Sequence, residues 1–328
     1  MLDPTIREVI QGFAAHREPP IYELTPEEAR NAFLRVQSGP VQKLDAQIED
    51  RNVNSQAGAL RLRFIRPVGA PDHTPAILYF HGGGWVLGDV MTHDRLVREL
   101  AVGAEATVVF VDHDRAPEHR YPIAIEQAYA ATSYVSEHAD ELAVDSTRLA
   151  VAGESSGGNM ATVVSLLAKE RYGPHIAGQL LLYPATSADF ETPSYRQFAD
   201  GPWLTRHAMQ WFWDQYLPDD TERKDPHASP LLAAPEQLAG LPPALIITAE
   251  NDVLRDEGEA YGRKLIQAGV EVVATRYSAT IHDFMTLNAI ARALPARAAI
   301  SQAIDFLNMC LLKGRNQGVT APRVNLHS

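Results

Sequence analysis

Leu149-Ala150-Val151-Ala152-Gly153-Glu154-Ser155-Ser156-Gly157 is the stretch on which the reading of this chain turns. Four apolar residues in a row suit a strand buried on both faces. The helical run Asn159-Met160-Ala161-Thr162-Val163-Val164 follows at once. Between them, Gly153-Glu154-Ser155-Ser156-Gly157 fits G-x-S-x-G, so the motif falls on a strand-to-helix turn. A serine exposed on so tight a turn needs small flanking residues, because the chain folds back on itself. The turn also aims the serine at a helix N-terminus, where partial positive charge favours a developing anion. Ser156 is a rival nucleophile; the register of the pattern selects Ser155.

Outward from this turn, strands and helices alternate. Short apolar runs occur at Ala76–Phe80, Thr107–Val111, Gln179–Tyr183, Ala244–Thr248 and Val270–Ala274. Helix-like segments at 92–102, 122–138, 157–171 and 256–268 separate most of them. Such alternation predicts an α/β fold with a mostly parallel sheet and right-handed crossovers. Leu60-Arg61-Leu62-Arg63-Phe64-Ile65 alternates apolar with polar, which predicts a half-buried strand antiparallel to a partner within 47–54. Upstream, one helix is expected from Asp3-Pro4, and another from the capping box Thr25-Pro26-Glu27-Glu28 to Ser38-Gly39-Pro40.

The spacing breaks once, over residues 184–243. This insert holds Trp203, Trp211 and Trp213, three of the chain's 4 tryptophans. A helix from Thr205 to Leu217 would put Leu204, Ala208 and Phe212 on one face, with Met209, Trp213 and Tyr216 adjoining. The helix reads equally as packing or as a lid over a site. Trp203 and Trp213 are the candidate substrate-binding residues. The expected organisation is cap helices over 1–46, a core over 47–185, a cap insertion over 186–240, the rest of the core over 241–314, and a tail over 315–328.

His81-Gly82-Gly83-Gly84-Trp85 follows the strand Ala76–Phe80. Consecutive glycines let backbone N–H groups approach a substrate oxygen unobstructed, as an oxyanion loop requires. An acid and a histidine should follow the nucleophile in that order. Position favours Asp252 over Glu250 and Asp256 without settling the choice. His282 is the one histidine beyond these acids and before the C-terminal helix; His327 lies in the tail. Asp112-His113-Asp114 with His119 has a spacing that fits no common metal site, so no metal is expected there. No P-loop or dinucleotide fingerprint is present.

The composition is that of a soluble globular protein. The chain has 328 residues, 45% hydrophobic and 21% charged, with net charge −12. That charge argues against an extended nucleic-acid footprint. A single cysteine, Cys310, allows no intrachain disulfide. The first residues lack a signal-peptide pattern and no apolar run is long enough for a membrane span. The expectation is a cytoplasmic protein.

Taken together, these motifs resemble those of the hormone-sensitive-lipase-like carboxylesterases, over roughly residues 47–312. His81–Trp85 matches that family's oxyanion loop, and Ala116-Pro117-Glu118-His119-Arg120-Tyr121-Pro122 its segment after the fourth strand. Gly153–Gly158 matches its elbow, Asp252-Val253-Leu254-Arg255-Asp256-Glu257-Gly258 its acid motif, and Ile281-His282-Asp283-Phe284-Met285 its histidine motif. The resemblance implies an α/β-hydrolase fold, with an eight-stranded, mostly parallel sheet and a helical cap. It settles Asp252 as the acid and implies oxyanion donors at the N–H groups of Gly83, Gly84 and Ser156. It also implies cofactor-free cleavage of a small ester with a short to medium acyl chain, and it leaves a homodimer open. The chain departs from the family pattern at Glu154 (usually Asp or Thr), Ser156 (usually Ala), His113-Asp114-Arg115 (usually Tyr-Arg-Leu) and Asp283 (commonly Gly).

The expected chemistry is therefore two-step acyl transfer by a Ser155–His282–Asp252 triad. Amide hydrolysis and transacylation would use the same groups. A non-catalytic ligand-binding protein on this scaffold, as in some plant hormone receptors, would be expected to lack the histidine that this chain retains.

Overall fold

The computed structural model describes residues 1–15 and 18–312. The expected tail at 315–328 therefore lies outside the described residues. Two helices precede the sheet, α1 (Pro4–Ala15) and α2 (Pro26–Gln37). Then follow β1 (Ala46–Ser55), β2 (Gly58–Pro67), β3 (Thr74–Phe80), α3 (Asp94–Gly103), β4 (Thr107–Val111), α4 (Ile123–Glu137), β5 (Val144–Glu154), α5 (Ser156–Glu170) and β6 (Gly178–Leu182). The insert carries α6 (Pro193–Gln197), α7 (Arg206–Tyr216) and α8 (Pro235–Leu238). The chain then returns through β7 (Ala244–Asn251), α9 (Arg255–Gln267), β8 (Val272–Ile281) and α10 (Leu294–Leu312).

The eight strands form one sheet in the order β1-β2-β4-β3-β5-β6-β7-β8. The β1–β2 and β2–β4 pairs are antiparallel and the remaining pairs parallel. All seven residues of β3 are buried. Its alternate side chains enter opposite layers, as a pleated strand requires. Leu78 and Phe80 pack with Val151, Leu166 and Leu181 on one face; Ile77 and Tyr79 pack with Leu100, Ala152 and Ile300 on the other.

One boundary differs from the sequence reading for a physical reason. Val270 lies in the turn that caps the end of α9, ahead of β8. Its N–H donates to Leu265 O at 3.0 Å and that of Gly269 to Ile266 O at 3.0 Å, with Gly269 at φ +83°. This is a Schellman ending, which uses the residues a hydropathy pattern assigns to the next strand. The N-terminal helices form as expected. Thr25 accepts from the Glu28 N–H while Glu28 accepts from the Thr25 N–H, a complete capping box.

From β3 the chain runs outward to β4 and then crosses back beyond β3 to β5. That reversal opens a crevice at the carboxyl ends of β3 and β5, the position where open α/β sheets bind ligands. Phe80 lies opposite Gly153 in the register, so the loops leaving both strands emerge side by side.

Candidate active site

Ser155 occupies the turn between β5 and α5 with φ 56° and ψ −120°. A non-glycine residue on this side of the map is strained by about 1–3 kcal/mol and persists only where its surroundings hold it. Here the Ser155 N–H donates to Leu182 O at 2.9 Å, and the Ser155 carbonyl accepts from Ala185 at 3.0 Å and Asn159 at 3.1 Å. The flanking glycines are obligatory. A Cβ at Gly157 would stand 1.9 Å from Phe80 O, and one at Gly153 would stand 2.2 Å from Gly157 O.

His282, just past β8, points Nε2 at Ser155 Oγ across 3.0 Å. Its Nδ1 stands 2.7 Å from Oδ2 of Asp252, just past β7. Ser155, Asp252 and His282 are 6%, 1% and 2% exposed, so the chain of contacts is shielded from solvent. Glu250 and Asp256 are engaged elsewhere, with the Ala279 N–H and with Arg255. Burial pushes the His282 imidazole down. The charges of Asp252 and Asp283, with the Asp252 hydrogen bond and Glu154 behind them, outweigh it and raise the group to about 9.

The loop after β3 passes directly over the elbow. Gly83 and Gly84 have φ +100° and +61°, and a Cβ on Gly84 would stand 2.2 Å from the Phe212 ring. Neither their N–H groups nor that of Ser156 donates to a protein acceptor in the contacts found among the described residues. The residues on either side of Ser155 brace this loop. The Glu154 carboxylate accepts from the Gly82 N–H and from the Tyr79 hydroxyl. Ser156 Oγ accepts from the Trp85 N–H at 3.2 Å. His93 Nε2 stands 2.6 Å from Glu154 Oε1 and completes a buried pair. Both bracing residues are departures from the resembled family, which was the one signal in the sequence that they carry something particular.

A family profile described as α/β hydrolase fold matches residues 77–286. The chain belongs to the α/β-hydrolase family, among its hormone-sensitive-lipase-like carboxylesterases. It is 40% identical over 275 residues to carboxylesterase NlhH of Mycobacterium tuberculosis, covering 83% of this chain and 85% of that protein. It is 35% identical over 302 residues to an ethyl acetate hydrolase of Pseudomonas putida, covering 88% and 93%. The crystal structure of a thermostable esterase from Pseudomonas putida superposes with a TM-score of 0.92 at 47% identity, covering 94% of this chain and 98% of that one.

In this α/β hydrolase the remaining candidate residues fall into distinct surroundings. His81 is fully buried and stacks on His113 with ring centroids 4.1 Å apart. Burial, with His113 and His93 beside it, holds His81 well below the usual histidine range, so it is a neutral packing group. Asp112 and Asp114 both accept from Arg61, at 3.1 and 2.9 Å. Trp213 is fully buried, with its ring 4.9 Å from that of Trp85. Trp203 lies nearer the chemistry, donating from Nε1 to Asp283 Oδ2 at 3.0 Å.

The N-terminal helix α2 is bolted to the site at both ends. Arg30 donates to Val86 O and Ala116 O, each at 2.8 Å, and pairs with Glu118. Gln37, buried at the other end, donates to Thr92 O at 2.7 Å and Thr286 O at 3.1 Å. These contacts join residues 55 to 249 positions apart, and no local pattern announces them. Among the described residues no helix is long and apolar enough to cross a membrane.

Proposed function

We propose that this α/β hydrolase is a carboxylesterase that uses Ser155 as nucleophile, His282 as general base and acid, and Asp252 as the carboxylate that orients and stabilises the imidazolium. The observation that carries the reading is the unbroken chain Ser155 Oγ–His282 Nε2 at 3.0 Å and His282 Nδ1–Asp252 Oδ2 at 2.7 Å, beside a glycine loop with open N–H groups. Neutral His282 takes the hydroxyl proton as Ser155 attacks the ester carbonyl carbon. The N–H groups of Gly83, Gly84 and Ser156 receive the oxyanion, as such donors do when aimed where charge develops. Collapse of the tetrahedral species breaks the ester C–O bond, and His282 returns the proton to the departing alcohol. Water, deprotonated by His282, then attacks the acyl-enzyme and releases the carboxylic acid and free Ser155.

The substrate in this reading is a small ester with a short to medium acyl chain. The 35% identical ethyl acetate hydrolase supports the short end of that range. Residues 1–46 and 186–240 form the cap over the acyl and alcohol pockets, with Phe212 over Gly84 as part of its wall. A homodimer and a cytoplasmic location belong to the same proposal, the first carried by the family resemblance and the second by the lone cysteine. Light scattering and cell fractionation test them. The experiment for the activity is a panel of p-nitrophenyl esters from acetyl to palmitoyl. Highest kcat/KM between two and about eight carbons supports the reading, and no hydrolysis of any member contradicts it.

A further inference from the structure

His282 faces a second carboxylate. Asp283 Oδ1 stands 3.5 Å from His282 Nε2, the same nitrogen that meets Ser155 Oγ at 3.0 Å. The side chains of His282 and Asp283 are 3% and 18% exposed. Two features hold Asp283 in place. Its backbone sits at φ +63°, a conformation that Asp tolerates better than most residues. Trp203 Nε1 then donates to Oδ2 at 3.0 Å, which leaves Oδ1 toward the imidazole.

The other groups around this ring are accounted for. Asp252 occupies Nδ1, and the Tyr183 ring stands edge-on with its centroid 4.9 Å away. Glu154, farther off, is paired with His93. Among the described residues no lysine or arginine forms an ion pair with Asp283; His282 is its ion-pair partner, and its charge also reaches His93 and Tyr183, pushing both groups up. Trp203 in turn packs against Phe13 of α1, with ring centroids 5.5 Å apart. The carboxylate is thus fastened to both segments proposed as the cap.

We propose that Asp283, anchored by Trp203, is a positioning residue for ester hydrolysis that steadies the protonated Nε2 of His282 between its encounters with Ser155 and the leaving alcohol. The proposal rests on the Ser155–His282–Asp252 reading. While the proton is in transit, the imidazolium has Asp252 on one nitrogen and needs a partner on the other that does not trap the proton. A carboxylate at 3.5 Å supplies attraction without a close hydrogen bond. The same charge keeps the resting imidazole protonated to higher pH, so the contact also sets where on the pH scale the enzyme turns on.

The test follows the His282 ring signals by NMR in the full chain, with the pH profile of kcat/KM on p-nitrophenyl acetate beside it. Wild type, Asp283→Asn and Trp203→Phe are compared, and a phosphonate probe reports on Ser155 in each. The His282 midpoint should fall by about 1 pH unit in Asp283→Asn, in the ring titration and the activity profile alike, since an opposite charge at this range shifts a group by roughly 1–3 units. Trp203→Phe should move both midpoints the same way by less, because the unheld carboxylate turns away for part of the time. If Asp283→Asn does not fold, Trp203→Phe reads the same contact. Unmoved midpoints with Ser155 still labelled would overturn the proposal and leave the triad standing. Failure of the probe to label Ser155 in the wild type would overturn the triad reading, and this proposal with it.

Discussion

The Trp85 N–H donates to Ser156 Oγ across 3.2 Å, tying the far end of the glycine loop to the residue after Ser155. Glu154 holds the near end through the Gly82 N–H. Gly83 and Gly84 are therefore held from both sides by the residues that flank Ser155. Ser156→Ala removes one of these ties and leaves a buried N–H short of its acceptor, which costs about 1 kcal/mol in a typical case. We expect kcat to fall roughly fivefold with KM little changed, since about that energy is lost where the oxyanion forms. Steady-state kinetics on one short ester checks it, and a rise in KM at constant kcat would assign the contact to substrate binding instead.

The pH behaviour carries two opposite signs. In the proposed role of base, His282 must be neutral. Burial lowers its proton affinity, but Asp252 and Asp283 raise it to about 9. Activity should therefore climb with pH through about 9, above the 6 to 7 of an ordinary histidine. Stability moves the other way. A histidine raised above its unfolded value of about 6.5 contributes stability that is full below that value and is lost as pH rises through about 9. A kcat/KM profile with an acid limb at 6 to 7 would show that burial outweighs the two carboxylates.

The aromatic residues of the insert should separate into two kinds. Trp213 is fully buried between Trp85 and its own helix, so Trp213→Ala should cost about 3–5 kcal/mol and lower Tm sharply. Its acyl-length preference should stay that of the parent. Phe212 covers Gly84, so Phe212→Ala should shift the preferred chain length by a few carbons, a methylene in such a pocket being worth about 1–3 kcal/mol. Parallel Tm and chain-length measurements on both variants decide the assignment. A shifted profile in Trp213→Ala with normal Tm would reverse it.

Much of this architecture was legible in the sequence because local rules produce it. Leu149–Ala152 is apolar on every residue since β5 is covered on both faces, and Gly153 and Gly157 are glycine since a Cβ at either would strike backbone. Thr25 and Glu28 cap α2 by contacts three residues apart. What stayed hidden depends on residues distant in sequence. Trp203 meets Asp283 across 80 positions, Glu154 meets Gly82 across 72, and Arg30 meets Val86 across 56. Trp203 and Trp213 read alike as aromatics of one insert, yet the fold turns one toward the histidine and the other into the core. The one clue to the hidden contacts was chemical: Glu154, Ser156 and Asp283 are polar where the resembled family is usually different or apolar, and each proves to hold a backbone or side chain of the site.

Ser155 Oγ is the proposed nucleophile that carries the acyl group, and one measurement reaches it directly. Purified wild type and Ser155→Ala are treated with an aryl-ester-mimicking fluorophosphonate, mapped by peptide mass spectrometry, and assayed on p-nitrophenyl acetate, with Tm recorded for both. The adduct should sit on Ser155 alone in the wild type and be absent from Ser155→Ala. The variant should fold normally and lose activity by about six orders of magnitude, the scale found when a triad serine is removed. Near-normal turnover by folded Ser155→Ala, or an adduct on Ser156, would contradict it.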